Sequence, residues 1–171
     1  NKYAWNQFKK NKIALVSFYF LILLVFIAIF APYLANDRPL YCEFEGNSLY
    51  PAFAEDTRTD SIYNRSGEFI KVLQYDITDW RQLNLTKVIW APIPYSPGSM
   101  DRYNRDYASP GGKQRYKSPD GEILDIPNRF RHRLGTDGIG RDLASGLIHG
   151  TRISLMVGIV SMGIAALIGI I

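Results

Sequence analysis

The chain has 171 residues, 47% of them hydrophobic, and 20 Lys and Arg against 16 Asp and Glu give it a net charge of +4. The excess comes from the lysines near its start: Lys2, Lys9, Lys10 and Lys12. Residues 37–152 hold all the acidic residues and an equal number of basic ones. A short basic terminus beside a neutral middle argues against nucleic acid as a partner. An apolar segment near each end and a polar middle are typical of a membrane protein.

The first apolar segment, residues 13–36, predicts a transmembrane helix. It holds no charged residue and would extend about 36 Å as a helix, against a hydrocarbon core of about 30 Å. Pro32 and the polar residues after it predict the end of this helix. A cleaved signal peptide is the alternative, but its apolar core would be shorter, and cleavage after Ala31 or Ala35 would lack the usual small residues upstream.

The lysines predict the orientation of this helix in the membrane. They precede it, and no comparable cluster follows it. By the positive-inside rule, residues 1–12 are expected to be cytoplasmic and residues 37–152 to be external or periplasmic.

Residues 153–171 predict a second transmembrane helix. They carry no charge and would span only about 28 Å, so we interpret the chain as a fragment with this helix truncated. Small residues recur every three or four positions on one face of the helix: Ser154, Gly158, Ser161, Ala165 and Gly169. Such a stripe lets helices approach closely in lipid, so we predict a packing face, with chance recurrence as the alternative.

The polar middle predicts a loop-rich domain of mixed α+β structure, which makes the fold class membrane α-helical with an inserted external domain. Alternating apolar residues predict strands at residues 68–73, 87–90 and 123–126. Residues 101–116, here called the Tyr/Arg segment, predict irregular structure. The domain is long enough for a modest core of its own.

Candidate chemistry is sparse in this sequence. It contains no motif typical of an enzyme, a nucleotide site or a metal site, so we expect no catalytic residue, metal or cofactor in this chain. Cys42 stands alone, which predicts a buried thiol, with pairing to another chain as the alternative. His132 lies in an arginine-rich run and, like His149, is expected at the surface or at an interface. The arginines are expected to be solvated or to contact anionic lipid headgroups.

The most specific stretch is residues 132–158, HRLGTDGIGRDLASGLIHGTRISLMVG. Its glycines predict a tight turn, and Asp137 and Asp142 are placed to cap a helix start. Residues 143–148 predict a short amphipathic helix before Arg152, whose side chain would reach the outer membrane edge. A phosphate-binding loop is the alternative, but no lysine follows, so a structural role is favoured.

This stretch closely resembles the permease subunits of ABC importers for oligopeptides, dipeptides and nickel, specifically the C-type member of the permease pair. The matching positions are Leu134, Gly135, Thr136, Asp137, Gly140, Arg141, Asp142, Gly150, Arg152, Ser154, Leu155 and Gly158. Residues 34–40 and 88–95 are similar to a branch with a long external insert, which imports oligopeptides or peptide-like compounds such as microcin C. Gly146 departs from the family, which more often has arginine there.

The resemblance implies a multi-pass inner-membrane subunit of six helices, of which this chain carries two. It also implies a second permease subunit, two cytoplasmic ATPases that bind ATP with Mg, and an external peptide-binding protein. The cytoplasmic loop that contacts the ATPase in this family would lie beyond Ile171. The alternative function is a membrane-anchored external sensor or binding domain flanked by two spanning helices. A membrane-tethered enzyme is a third reading, with no motif in its favour.

Overall fold

The computed structural model describes residues 2–64, 66–118 and 120–170. The chain forms two compact units. The apolar unit comprises Asn1–Ala31 and Ile148–Ile171, and the polar unit comprises Pro32–Leu147. All the acidic residues lie in the polar unit, and the apolar unit holds none.

Two helices occupy the start of the chain, α1 over Lys2–Lys10 and α2 over Lys12–Leu34. The sequence did not predict α1, and α2 ends two residues before the expected position. Pro32 lies inside α2 and does not end it, which corrects the prediction. The helix ends where the Asn36 side chain donates a hydrogen bond to the Pro32 carbonyl oxygen at 3.0 Å and so satisfies a terminal backbone acceptor.

A third helix, α3, runs without interruption over the 28 residues Leu143–Ile170. The predicted short amphipathic helix at residues 143–148 is therefore its first turns and not a separate element. No proline lies between residues 148 and 153, so helical hydrogen bonding continues from the predicted short helix into the predicted transmembrane helix. Both α2 and α3 are long and apolar enough to cross a membrane.

The predicted packing face of α3 is exposed throughout, at Ser154, Gly158, Ser161, Ala165 and Gly169. A Cβ added at Gly158 or Gly169 would meet no atom within 4 Å. The stripe therefore stays a prediction about helices outside this chain.

Short antiparallel strands and loops make up most of the polar unit. The described residues form strands β1 Tyr41–Phe44, β2 Asn47–Leu49, β3 Thr59–Tyr63, β4 Phe69–Gln74, β5 Lys87–Ile89, β6 Arg115–Lys117 and β7 Ile123–Asp125. One sheet has the order β2-β1-β5, and the hairpins β3-β4 and β6-β7 form two others. The three predicted strands are confirmed as β4, β5 and β7, each within one residue at its ends.

A small core joins the first sheet to the β3-β4 hairpin. It contains Cys42, Phe44, Leu49, Ile62, Leu73, Tyr75 and Trp80. Cys42 is fully buried, as predicted, and burial raises the pKa of its thiol to about 11. This thiol is therefore protonated and shielded at neutral pH.

Candidate functional site

The motif loop, residues 134–142, carries most of the positions that define the family resemblance, and it lies against the Tyr/Arg segment. The backbone N–H of Thr136 donates to the Ala108 carbonyl oxygen at 3.1 Å. In return, the N–H of Asp101 donates to the Gly140 carbonyl oxygen at 2.9 Å. The Tyr/Arg segment is irregular as predicted, up to the start of β6, and its conformation is fixed by these contacts.

Two motif glycines make this close approach possible. Gly135 has a φ of 81° and Gly140 a φ of 88°, values that L-residues with side chains rarely adopt. A Cβ at Gly135 would clash with the Ala108 carbonyl oxygen, and one at Gly140 would clash with the Asp101 carbonyl oxygen. Both positions therefore require glycine for conformation and for space.

Thr136 is fixed by its hydroxyl group. Its side chain is buried, and Oγ1 donates to the Asn104 carbonyl oxygen at 2.6 Å while accepting from the Ala108 N–H at 3.0 Å. One hydroxyl thus satisfies two backbone groups of the Tyr/Arg segment, which explains a threonine in this position of the motif.

Asp137 closes the motif loop on itself. Its Oδ1 accepts from the N–H of Arg141 at 2.9 Å and of Ile139 at 3.0 Å. These backbone hydrogen bonds, that of Arg141 above all, lower the pKa of Asp137. Of the two aspartates predicted to cap a helix, this one stabilises the turn that precedes the helix.

Asp142 caps α3, as predicted. Its Oδ1 accepts from the N–H of Ser145 at 2.7 Å, and its carbonyl oxygen accepts from the N–H of Gly146 at 3.1 Å. The other carboxylate oxygen, Oδ2, lies 2.9 Å from Nδ1 of His132. Asp142 is only 2% exposed, so both of its oxygens are satisfied by protein groups inside the fold.

The prediction of a surface position for His132 is wrong. Its side chain is completely buried between two carboxylates, with Nδ1 facing Asp142 and Nε2 at 3.2 Å from Oδ2 of Asp101. Its ring also stacks on Tyr95 with centroids 4.0 Å apart. Burial alone would lower the pKa of His132, but the hydrogen bonds to Asp101 and Asp142 outweigh it and raise the pKa.

Sequence reasoning missed this role because it tested His132 only as a metal ligand. The partners of the ring lie 10 and 31 residues away. An aspartate at a helix start with a histidine upstream was the only local signal. A protonated imidazole can donate to both carboxylates at once, so the three side chains form one buried ion-pair network.

Two buried amides complete this polar network. Gln114 holds the backbone of His132, accepting from its N–H at 2.8 Å and donating to its carbonyl oxygen at 3.1 Å. Asn104 donates to Oδ2 of Asp101 at 2.8 Å. It also donates to the Arg115 carbonyl oxygen and accepts from the Arg115 N–H. Burial would raise the pKa of Asp101, but hydrogen bonds from His132, Asn104 and the Tyr103 backbone lower it.

The arginine run around His132 is more structural than predicted. Arg129 donates through Nη2 to the Ala91 carbonyl oxygen at 2.7 Å and to the Trp90 carbonyl oxygen at 2.9 Å. Arg131 is half-buried and donates to the Gly112 carbonyl oxygen. Arg133 is exposed. Arg129 and Arg133 thus have the exposed position expected of the run, although Arg129 also holds backbone carbonyl groups, whereas Arg131 is half-buried.

The remaining motif residues lie outside the network. Leu134 is 48% exposed, and the Arg141 side chain is exposed as well. Gly150, Arg152 and Ser154 belong to the part of α3 in the apolar unit. They stay predictions as functional positions.

The arrangement at the motif loop holds a helix start in place and contains no activated nucleophile. Across residues 2–64, 66–118 and 120–170, no group of three or more His, Cys, Asp or Glu side chains is arranged to hold a metal ion. The interactions here are hydrogen bonds and charge pairs that fix the first turn of α3 to the Tyr/Arg segment.

Comparisons with known proteins find a family model for the start of the chain and relatives for nearly all of it. Residues 2–51 match the family model for the N-terminal transmembrane domain of oligopeptide transport permease C. The chain is 29% identical over 189 residues to the peptidoglycan transport system permease protein YejE of Agrobacterium fabrum, covering 99% of this chain and 46% of that protein. No solved structure matches the chain.

Two further relatives are also named as permease proteins. The inner membrane ABC transporter permease protein YejE of Escherichia coli is 24% identical, over 99% of this chain and 45% of that protein. The dipeptide transport system permease protein DppC of Lactococcus lactis is 26% identical, over 98% of this chain and 37% of that protein. The chain thus spans less than half the length of these relatives. Nearly its whole length is similar to permease proteins of ABC transport systems, those for dipeptides among them, and residues 2–51 match the N-terminal domain of a C-type permease.

Proposed function

We propose that this chain is part of an inner-membrane permease subunit of an ABC importer for oligopeptides or peptide-like compounds. The observation that carries this proposal is similarity over nearly the whole chain to proteins named as permeases for peptidoglycan, dipeptides and di/tripeptides. The two apolar helices, one before and one after the polar unit in sequence, support it, because a permease needs spanning helices. The same similarity favours a transporter over an anchored sensor.

The proposed subunit has six spanning helices, of which α2 and α3 are the first two, and it forms part of the translocation path. Its N-terminus is cytoplasmic and residues 37–152 are external, as the lysines at the start of the chain suggest. The polar unit receives substrate from an external binding protein. A second permease subunit completes the path, and two ATPase subunits hydrolyse ATP, so this chain breaks no covalent bond.

Peptide uptake in cells lacking the complete gene tests this function. Deletion is expected to abolish uptake of labelled di-, tri- and longer peptides in at least one length class, and the intact gene is expected to restore it. A complementing gene with Gly140→Val, which disrupts the motif loop, serves as a matched loss-of-function control. Unchanged uptake of every peptide length in the deletion strain would contradict the proposal.

A further inference from the structure

A cavity of about 380 Å³ opens in the polar unit beside the His132 network. Its wall combines cationic and aromatic side chains, namely Arg81, Arg102, Lys117, Tyr95, Tyr103 and Tyr116. The volume lies within the range of roughly 300 to 1,000 Å³ that is usual for small-molecule sites. Nothing in the role of the motif loop accounts for this cavity.

The cavity carries an excess of positive charge. Among the described residues, neither Arg102 nor Lys117 has a carboxylate within salt-bridge distance, and the guanidinium of Arg81 lies over the Tyr95 ring at 4.4 Å. The wall holds three cations against two carboxylates, Asp79 and Asp101, and Asp101 is partly neutralised by His132 at 3.2 Å, so a net positive charge remains. An anionic ligand group would therefore be attracted here.

The aromatic side of the cavity is preformed. Tyr95 is 2% exposed, its hydroxyl donates to the Phe130 carbonyl oxygen, and its ring is held between Arg81 and His132. Tyr103 is 46% exposed and lines the same cavity as the cations. Because Tyr95 is held in place before a ligand arrives, the entropic cost of binding is lower.

We propose that this cavity binds the carboxylate-terminated end of a short peptide. Arg102 and Lys117 supply the positive charge for the carboxylate, and the rings of Tyr103 and Tyr116 contact the adjoining peptide unit. A concave site of this volume suits a chain end better than it suits the flatter surface of a folded partner. The choice of a peptide rests on the proposed function, whereas the binding itself is measurable without transport.

Calorimetry on the full chain in lipid nanodiscs tests the site with tri-alanine and with tri-alanine carrying a C-terminal amide. The amide is expected to bind about tenfold more weakly, because a charge-assisted contact is lost. Arg102→Gln and Lys117→Gln are each expected to weaken tri-alanine binding by about tenfold as well. Arg105→Gln, at an exposed arginine of the same segment outside the cavity, is the matched control and should leave binding unchanged.

Three results would overturn the site: no binding of tri-alanine, equal binding of the acid and the amide, or an equal loss in the control variant. Because Arg102 and Lys117 are both exposed, their substitution should not unfold the chain, and circular dichroism checks this. The two proposals fail separately. Peptide binding by the isolated chain together with unaffected uptake in the deletion strain would contradict the transport function alone.

Discussion

Nδ1 of His132 lies 2.9 Å from Oδ2 of Asp142, the aspartate that caps α3 with its other carboxylate oxygen. One buried carboxylate therefore serves both the helix start and the histidine. Because the pKa of His132 is raised in the folded state, its contribution to the free energy of unfolding is complete below its ordinary value of 6.5 and is lost as the pH rises through the folded value.

The first prediction follows from the raised pKa of His132. The polar unit should become less stable as the pH rises above about 6.5, and thermal melts of the full chain between pH 5 and 9 should show it. His132→Gln should be less stable at pH 6 by about 3 kcal/mol, since two carboxylates lose a buried cation. That variant should also lose this pH dependence, and an unchanged slope would place the titrating group elsewhere.

The second prediction separates the two roles of Asp142. Asp142→Asn keeps a capping oxygen but removes the charge that faces His132, whereas Asp142→Ala removes both. The alanine variant should therefore be less stable than the asparagine variant by about 1 kcal/mol, the usual value of a helix N-cap. Hydrogen exchange of the Ser145 amide reports the cap directly, and it should accelerate only in the alanine variant.

The third prediction concerns the motif glycines. Gly140→Ala should lower the free energy of unfolding by about 1 to 3 kcal/mol, because it combines a strained φ with a clash against the Asp101 carbonyl oxygen. Gly146→Ala is the matched control, since it lies in α3 with open space around it and should leave stability unchanged or raise it by up to about 1 kcal/mol. Equal effects of the two substitutions in a denaturant titration would contradict the docking of the motif loop.

The fourth prediction tests the topology by cysteine labelling. Gly98→Cys, in open space, should react with a membrane-impermeant maleimide from the external side, and Asn6→Cys should react only after the membrane is opened. Cys42 needs no replacement, because its buried thiol with a raised pKa should stay unlabelled until the protein is denatured. Labelling of Asn6→Cys in intact cells would reverse the proposed orientation.

Part of this fold could be predicted because its signals are local. Uncharged runs of spanning length predicted α2 and the body of α3, and alternating apolar residues predicted β4, β5 and β7. Strand β1, with the sequence YCEF, is short and has apolar residues at both odd and even positions, so no period of two is visible in it. Strand β6, with the sequence RYK, holds only one apolar residue, and it is stabilised by pairing with β7 and by the Asn104 side chain at the Arg115 backbone.

The site was harder to predict because its partners are distant in sequence. The glycines of the motif loop predict a turn, but the carbonyl groups that make glycine necessary belong to Asp101 and Ala108. Burial of His132 depends likewise on residues of another segment, and a basic neighbourhood in sequence says nothing about them. Local sequence patterns therefore identify the motif loop but not the Tyr/Arg segment against which it packs.

Consecutive residues of the Tyr/Arg segment face in different directions. Asp101 and Asn104 hold the His132 network, and Arg102 and Tyr103 between them are exposed and line the cavity, whose wall Asp101 also reaches. Structural and ligand-facing positions are thus interleaved within four residues of chain. Relatives could change the side chains at positions 102 and 103, and with them the ligands they accept, while the start of α3 stays fixed.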